Sequence, residues 1–229
     1  MSVALEKTEL EKNGPAFVQE QMLMVRGMTR GVIRDIAARC KPGMLEEEAI
    51  EIAKEILAEK KMLRSWHDVH VRFGANTIKT FGAPSEPGVR LAENDIMFVD
   101  IGPVYDKWEG DGGETFVFGS DADMRRCADD VVKLFHIVRK KWELEKTNGK
   151  ELYEFAVLEA RKMGWELNLD LSGHRLSDFP HAAVYDGPMA DVTFCPSPLL
   201  WVLEMHIRHP TKPYGAFFED MLLDDSYFA

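Results

Sequence analysis

The sequence predicts an α+β fold in which two halves each contribute helices and strands to a shared sheet. Three observations carry that expectation. Segments of helical spacing and segments rich in β-branched and aromatic residues alternate as helices, strands, helices, strands. No repeat and no low-complexity linker divides the 229 residues, a length that can bury one large core. No G-x-G-x-x-G stands between a strand and a helix, which disfavours a dinucleotide-binding βαβ unit.

Taken in order, residues 1–14 (MSVALEKTELEKNG) alternate charged and apolar residues, lack the apolar run of a signal peptide, and are expected to form a loose N-terminal segment of the single domain. Over 15–38, Phe17, Met22, Val25, Met28, Val32 and Ile36 recur at helical spacing. CKPGM breaks that helix, and 46–62 resumes it with acids in the first turn and lysines in the last. From Trp66 to Phe118 the runs VHVRFG, TIKTFG, DIMFVDIG and GETFVFG read as strands punctuated by Gly, Pro and Asn. Residues 122–145 are helical again, and after TNGK comes the helix ELYEFAVLEARKMG, closed by Gly164. Beyond about residue 165 the chain reads as strand and loop, with aromatic-rich runs at TFCPSPLLWVLEMHIRHP and YGAFFEDMLL.

A net charge of −11 argues against a phosphate-backbone binder, so no nucleic-acid partner is expected. No stretch approaches the length of a membrane span. Cys40, Cys127 and Cys195 are odd in number and widely spaced, which points to reduced thiols in the cytoplasm and to small buried hydrophobes. A homodimer is compatible with the sequence and not required by it.

The chemistry-bearing residues are oddities of setting. Asp100 ends the apolar strand IMFVD, and Asp111 opens the next extended run. A buried carboxylate is costly unless paired, hydrogen-bonded or bound to a metal. With a tight turn near Tyr105–Lys107, the two aspartates are expected roughly opposite each other, where like charges repel unless a cation lies between them. On the hairpin alone, a metal site and a structural role stay equally open. His174 and His181 stand close together in SGHRLSDFPHAAV, and neutral imidazole serves both as metal ligand and as acid or base. Glu204 in LLWVLEMHI and Glu219 in GAFFEDMLL are single acids in apolar, strand-like runs. Together these give a donor set suited to a two-metal hydrolytic site.

At these residues the chain resembles a known family. VDIG-x7-D, GH-x6-H, a glutamate in a hydrophobic strand and a closing F-x-E-D are similar to the motifs of the pita-bread metallopeptidases, which include methionine aminopeptidase, aminopeptidase P, prolidase and creatinase. The resemblance runs from the CKPGMLEEEAIEIA turn to EDMLL. It implies a curved, mostly antiparallel sheet covered by helices, in two halves related by a pseudo-twofold. It implies two divalent ions (Mn, Fe, Co or Zn) on Asp100, Asp111, His174, Glu204 and Glu219, with Asp111 and Glu219 bridging. It further implies that His181 binds substrate and stabilises the tetrahedral intermediate, and that Glu204 also shuttles a proton. The implied reaction is hydrolysis of a C–N amide bond in a small peptide or amino-acid derivative. In size the chain resembles methionine aminopeptidase; its strands look closer to aminopeptidase P and prolidase.

Departures from the pattern sit in the substrate wall. FGANTIKTFGAP keeps Gly74 and Asn76 of the family's G-x-N-x4-H but has Phe81 in place of the histidine. GHRLS replaces GHGIG, Gly113 and Glu114 replace a hydroxyl and a basic residue, and Phe217 replaces an arginine of the proline-specific members. Phe81, Phe217, Trp66 and His67 are therefore the candidate substrate contacts, with His67 the better replacement for the missing histidine than His70. His206, His209, Cys195 and Trp201, which flank Glu204, are candidates for lining the pocket. Two alternatives keep the fold: a non-peptidase metalloenzyme, creatinase-like or iron- and O₂-using, acting on a pathway metabolite, and a binding module without catalysis.

Overall fold

Side chains along a strand point alternately to the two faces of its sheet, and in this protein that alternation separates a helix-covered face from a chemical one. The computed structural model describes residues 6–62, 64–80 and 82–228. Helix α1 (Lys7–Leu10) precedes α2 (Gln19–Arg39) and α3 (Glu46–Glu59). Strands β1 (Arg64–Ser65) and β2 (His70–Phe73) lead through a 3-10 turn at Gly74–Ile78 to β3 (Asp95–Ile101), β4 (Pro103–Tyr105), β5 (Trp108–Glu109) and β6 (Gly112–Phe118). Helices α4 (Ala122–Glu145) and α5 (Gly149–Lys162) follow, then β7 (Glu166–Leu167), β8 (His174–Arg175), β9 (Trp201–Arg208) and β10 (Gly215–Met221).

The principal sheet runs β2-β3-β6-β10-β9-β7, with β8 paired to β9, and every pairing is antiparallel. A small second sheet joins β1, β4 and β5. Helices α2 and α3 pack on the β2-β3-β6 half, while α4 and α5 pack on the β10-β9-β7 half, so each half is a helix pair on antiparallel strands. This is the architecture that the resemblance implies: an antiparallel sheet with a helix pair on each half. Met97, Val99 and Ile101 of β3 face the first helix pair in one core cluster; Leu203, Met205 and Ile207 of β9 face the second pair in another. The residues between them, Phe98, Asp100, Glu204 and His206, point to the opposite face.

Element edges moved for local reasons. The first long helix starts at Gln19, because Val18 is extended, and stops before the Lys41–Pro42 pair, whose geometry disfavours helix. The second stops at Glu59, and Lys61 then turns into the left-handed region at φ 62°. In the run TIKTFG, expected as a strand, residues 77–80 instead end a 3-10 turn and continue as loop. Thr77 Oγ1 donates to the Gly74 carbonyl (2.6 Å), and the Asn76 amide bonds Glu46 (3.0 Å) and the Glu86 backbone (2.9 and 3.0 Å). Such side-chain bonds compete with strand pairing. In TFCPSPLLWVLEMHIRHP the first part, interrupted by Pro196 and Pro198, is loop, and strand pairing begins at Trp201.

Residues 6–14 lie against the body of the fold. The Glu11 carboxylate accepts bonds from Ser197 N (2.8 Å), Ser197 Oγ (2.7 Å) and Trp201 Nε1 (2.8 Å), and Gly14 N donates to Asp178 (2.8 Å). The three cysteines are free thiols; Cys40 and Cys127 are buried, Cys195 half-buried. No helix among the described residues is long and apolar enough to cross a membrane.

Candidate metal centre

Strand register builds the site. Asp100 on β3 stands opposite Gly113 on β6, Gly113 opposite Glu219 on β10, and Glu219 opposite Glu204 on β9. Three carboxylates therefore lie in one row across the sheet, all on the face away from the helices. The expectation that Asp100 and Asp111 lie opposite each other is corrected here. The turn centres between Asp106 (φ 55°) and Lys107, because Tyr105 pairs with Trp108, and the same register carries Asp100 to Gly113. Asp111 falls two residues along, on the same face, as a diagonal neighbour.

Strand β8 brings His174 to this row by pairing it with Val202. Its Nε2 lies 2.8 Å from Asp111 Oδ2, outside hydrogen-bond alignment, so that oxygen and Glu219 Oε1 are buried without a hydrogen bond. His174 Nδ1 lies 2.7 Å from the Arg175 carbonyl, which can only accept, so Nδ1 carries the proton and Nε2 is the ligand-ready atom. Asp111, His174 and Glu219 present donor atoms within 4.8 Å of one another, as do His67, Asp100 and Asp111.

Four buried carboxylates at this spacing cannot all hold charge unaided. Burial and the neighbouring acids push Glu219 well above the usual carboxylate range, and burial raises Glu204. Burial pushes Asp100 up to about 7, with His67 pulling against it. Burial works the same way on Asp111, but the adjacent His174 imidazole, with His67 in support, wins and lowers it to about 2. The imidazoles answer in kind: burial disfavours their charge, yet the carboxylates raise His67 and His174 to about 9. The site's need is for positive charge. Carboxylate oxygens with imidazole nitrogen, convergent and unsatisfied, fit divalent cations.

Beside this cluster a cavity of about 440 Å³ is walled by Trp66, His67, His181, Leu169, Leu171 and Pro188, among others, with Asp170 and Asp186 at its exposed mouth. Trp66 is the wedge of the wall. Its ring contacts His67 (4.3 Å between centroids), His174 (4.8 Å) and His181 (4.8 Å), and its Nε1 donates to the Gly110 carbonyl (3.1 Å).

Among the described residues, the other expected contacts lie elsewhere. Phe217 is fully buried in the row below, between Phe98 and His206, and does not line the cavity. Phe81 lies outside the described residues. His206 is fully buried: Nε2 faces the Thr77 carbonyl (2.7 Å) and must donate, so Nδ1 accepts from Asn168 (3.0 Å). Its burial lowers its pKa to about 4, which makes it a neutral packing residue and not a pocket residue. His209 serves a turn at Thr211–Lys212, Trp201 sits in the core, and Cys195 bonds the Pro196 carbonyl; none of the three lines this cavity.

Two site residues had no sequence signal. Glu109, fully buried, accepts from His181 N (2.8 Å), from Ser177 N (3.0 Å) and at 2.8 Å from His181 Nδ1. Both its oxygens are acceptors, so His181 Nδ1 donates. Gly102 is the second: any Cβ there would overlap the rings of His67 and Trp66. Only the antiparallel register between β4 and β5 and the return of the 177–181 segment bring Glu109 to His181.

The sequence model of metallopeptidase family M24 matches residues 20–223. Methionine aminopeptidase 1 of Mycobacterium tuberculosis is 31% identical over 111 residues, which is 45% of this chain and 41% of that protein. Among solved structures, a dipeptidase from Pyrococcus horikoshii superposes with a TM-score of 0.69 at 18% identity, over 94% of this chain and 57% of its own. A variant of Escherichia coli aminopeptidase P gives 0.68 at 14% identity, over 91% and 52%. The chain thus spans between about two fifths and three fifths of the length of these relatives. With the family match covering nearly all of the sequence and the fold shared, the chain belongs to metallopeptidase family M24.

Proposed function

We propose that this protein is a two-metal hydrolase that cleaves a C–N amide bond in a small peptide or amino-acid derivative, releasing an N-terminal residue. One observation carries the reading: Asp100, Asp111, His174, Glu204 and Glu219, from separate strands and loops, converge on the helix-free face, where buried Asp111 Oδ2 and Glu219 Oε1 lack a hydrogen bond. By the resemblance, these five residues would hold the ions, with Asp111 and Glu219 serving both positions. When bound, divalent ions of the Mn, Fe, Co or Zn type supply Lewis acidity for water activation and carbonyl polarisation.

The chain's own residues do the rest. Glu204 Oε2 is held by Gly173 N–H (2.6 Å), and its raised pKa suits a group that takes up and returns a proton. His181, oriented through Nδ1 by Glu109, presents Nε2 to the substrate. Trp66 packs against three imidazoles and keeps water from that side. Asp170 and Asp186 at the mouth suit a protonated amine, and among the described residues no Lys or Arg lines the cavity to take a free carboxylate.

Metal analysis of protein purified without chelator should find close to two divalent ions per chain, and Asp111→Ala should lose both. Retention of full metal content in Asp111→Ala would contradict the shared position of that carboxylate. Hydrolysis of short peptides, X-Pro peptides included, tests the reaction. A second reading, a non-peptidase metalloenzyme, draws on Gly113 and Phe217. They leave the sheet face without the hydroxyl common in the family and the arginine of its proline-specific members. Inactivity on every peptide, with iron as the retained metal, would favour it.

A further inference from the structure

His67 and His174 flank Asp111 as a matched pair. His174 Nε2 lies 2.8 Å from Asp111 Oδ2; His67 Nε2 lies 3.4 Å from Asp111 Oδ1 and 3.6 Å from Asp100 Oδ1. Each ring bonds through Nδ1 to the carbonyl of the following residue, His67 to Asp68 and His174 to Arg175, both at 2.7 Å. A carbonyl oxygen only accepts, so both rings carry the proton on Nδ1 and turn Nε2 to the carboxylates. That outer bond is the arrangement by which proteins orient metal-ligating imidazoles.

The seat of His67 is built. Its side chain is 5% exposed, Trp66 packs edge-on against it, and Gly102 leaves the space that the two rings fill. Nε2 of His67 and one oxygen each of Asp100 and Asp111 lie within 4.8 Å of one another, the same closeness as in the group of Asp111, His174 and Glu219. A cation held by Asp100 and Asp111 would therefore meet this nitrogen. A protonated Nε2 aimed at the same oxygens would oppose that cation, whereas a neutral one completes its shell.

We infer that His67 is a metal ligand, which gives the Asp100–Asp111 position an imidazole of its own in addition to the five-residue set. The inference rests on the two-metal reading above. It makes both positions mixed carboxylate and imidazole sites, which favours transition ions over Mg²⁺ or Ca²⁺ at each.

The test is proton NMR of the full chain loaded with Co²⁺, which shifts the Nδ1–H of every coordinated imidazole far outside the normal range. Two such exchangeable resonances are expected in the wild type. His67→Phe should remove one and leave the other, and in a Co²⁺ titration should weaken one of two binding steps at least about 10-fold. Gly102→Ala, which keeps His67 but crowds its ring, should reproduce that loss. A single shifted resonance in the wild type, unchanged in His67→Phe, would overturn the His67 assignment and leave the metal reading standing. No shifted resonance at all would overturn both.

Discussion

Glu109 accepts three hydrogen bonds, two from His181 and one from Ser177, and so fixes both the place and the tautomer of the imidazole that faces the cavity. In the sequence it is one more acid beside a turn, in DKWEGD, and nothing marks it. Glu109→Gln keeps the shape but sets an amide N–H against donors. If His181 works through Nε2, kcat/KM should fall on the order of 10²-fold, chiefly in kcat, with metal content unchanged. Unaltered kinetics in a folded, metal-replete variant would remove Glu109 from the positioning of His181. His67 was legible as a histidine near the missing family position, but its proximity to Asp100 and Asp111 was not. That depends on Gly102, well outside its local sequence.

At the scale of elements, Gly113 and Phe217, read in the sequence as two separate departures, are a single compensated change. A Cβ on Gly113 would collide with the Phe217 ring, so the aromatic occupies the space that the small residue vacates. The two halves of the sheet meet here, between β6 and β10, where register pairing is confined to Glu219 and Gly113. Thr115 supplies further stitching: its Oγ1 donates to the Phe217 carbonyl (2.8 Å) and accepts from Phe217 N–H (2.7 Å). Thr115→Val preserves the shape and leaves both backbone groups without these bonds. It should cost about 2–4 kcal/mol in urea unfolding at unchanged m. A loss below about 0.5 kcal/mol would show that the seam does not depend on this hydroxyl. The hydroxyl's role follows from register, and a change of one residue in either strand would turn it to the other face.

For the whole molecule, the site stores charge that folding alone does not neutralise. The sign of its pH dependence without metal can be worked out group by group. Asp100, Glu204 and Glu219 bind protons more tightly folded than unfolded, so they stabilise least once pH rises past their folded values. His67 and His174, raised to about 9, contribute fully below about 6.5 and lose that contribution as pH rises through 9. Asp111 is lowered, but its window closes below about pH 4. His70 and His206, each lowered to about 4, act in the reverse sense only between about 4 and 6.5. Between the value of about 7 for Asp100 and that of about 9 for the two imidazoles, every site contribution has one sign. Over that range the chelated protein should therefore lose stability by about 1.4 kcal/mol per pH unit for each retained proton. The metal-loaded protein, its carboxylates already neutralised, should change far less. Equal slopes with and without chelator, measured by urea unfolding, would show that these groups do not govern stability.

Local pattern was enough to read the helices, the main strands and the five candidate donors. Helical spacing is a short-range signal, and a lone acid within an apolar strand is conspicuous wherever that strand ends up. Asp100, Glu204 and Glu219 were legible on that ground, and Asp111 and His174 as an acid and an imidazole in extended, site-like settings. What stands beside them came from the folded chain alone. Glu109 beneath His181, His67 against Asp100 and Asp111, and Phe217 over Gly113 are joined by strand register and chain return. The physical reason is that a hydrogen-bonding or metal-binding partner is selected by distance in space. Residues far apart in the chain, such as Gly113 and Glu219, meet only after the sheet has formed.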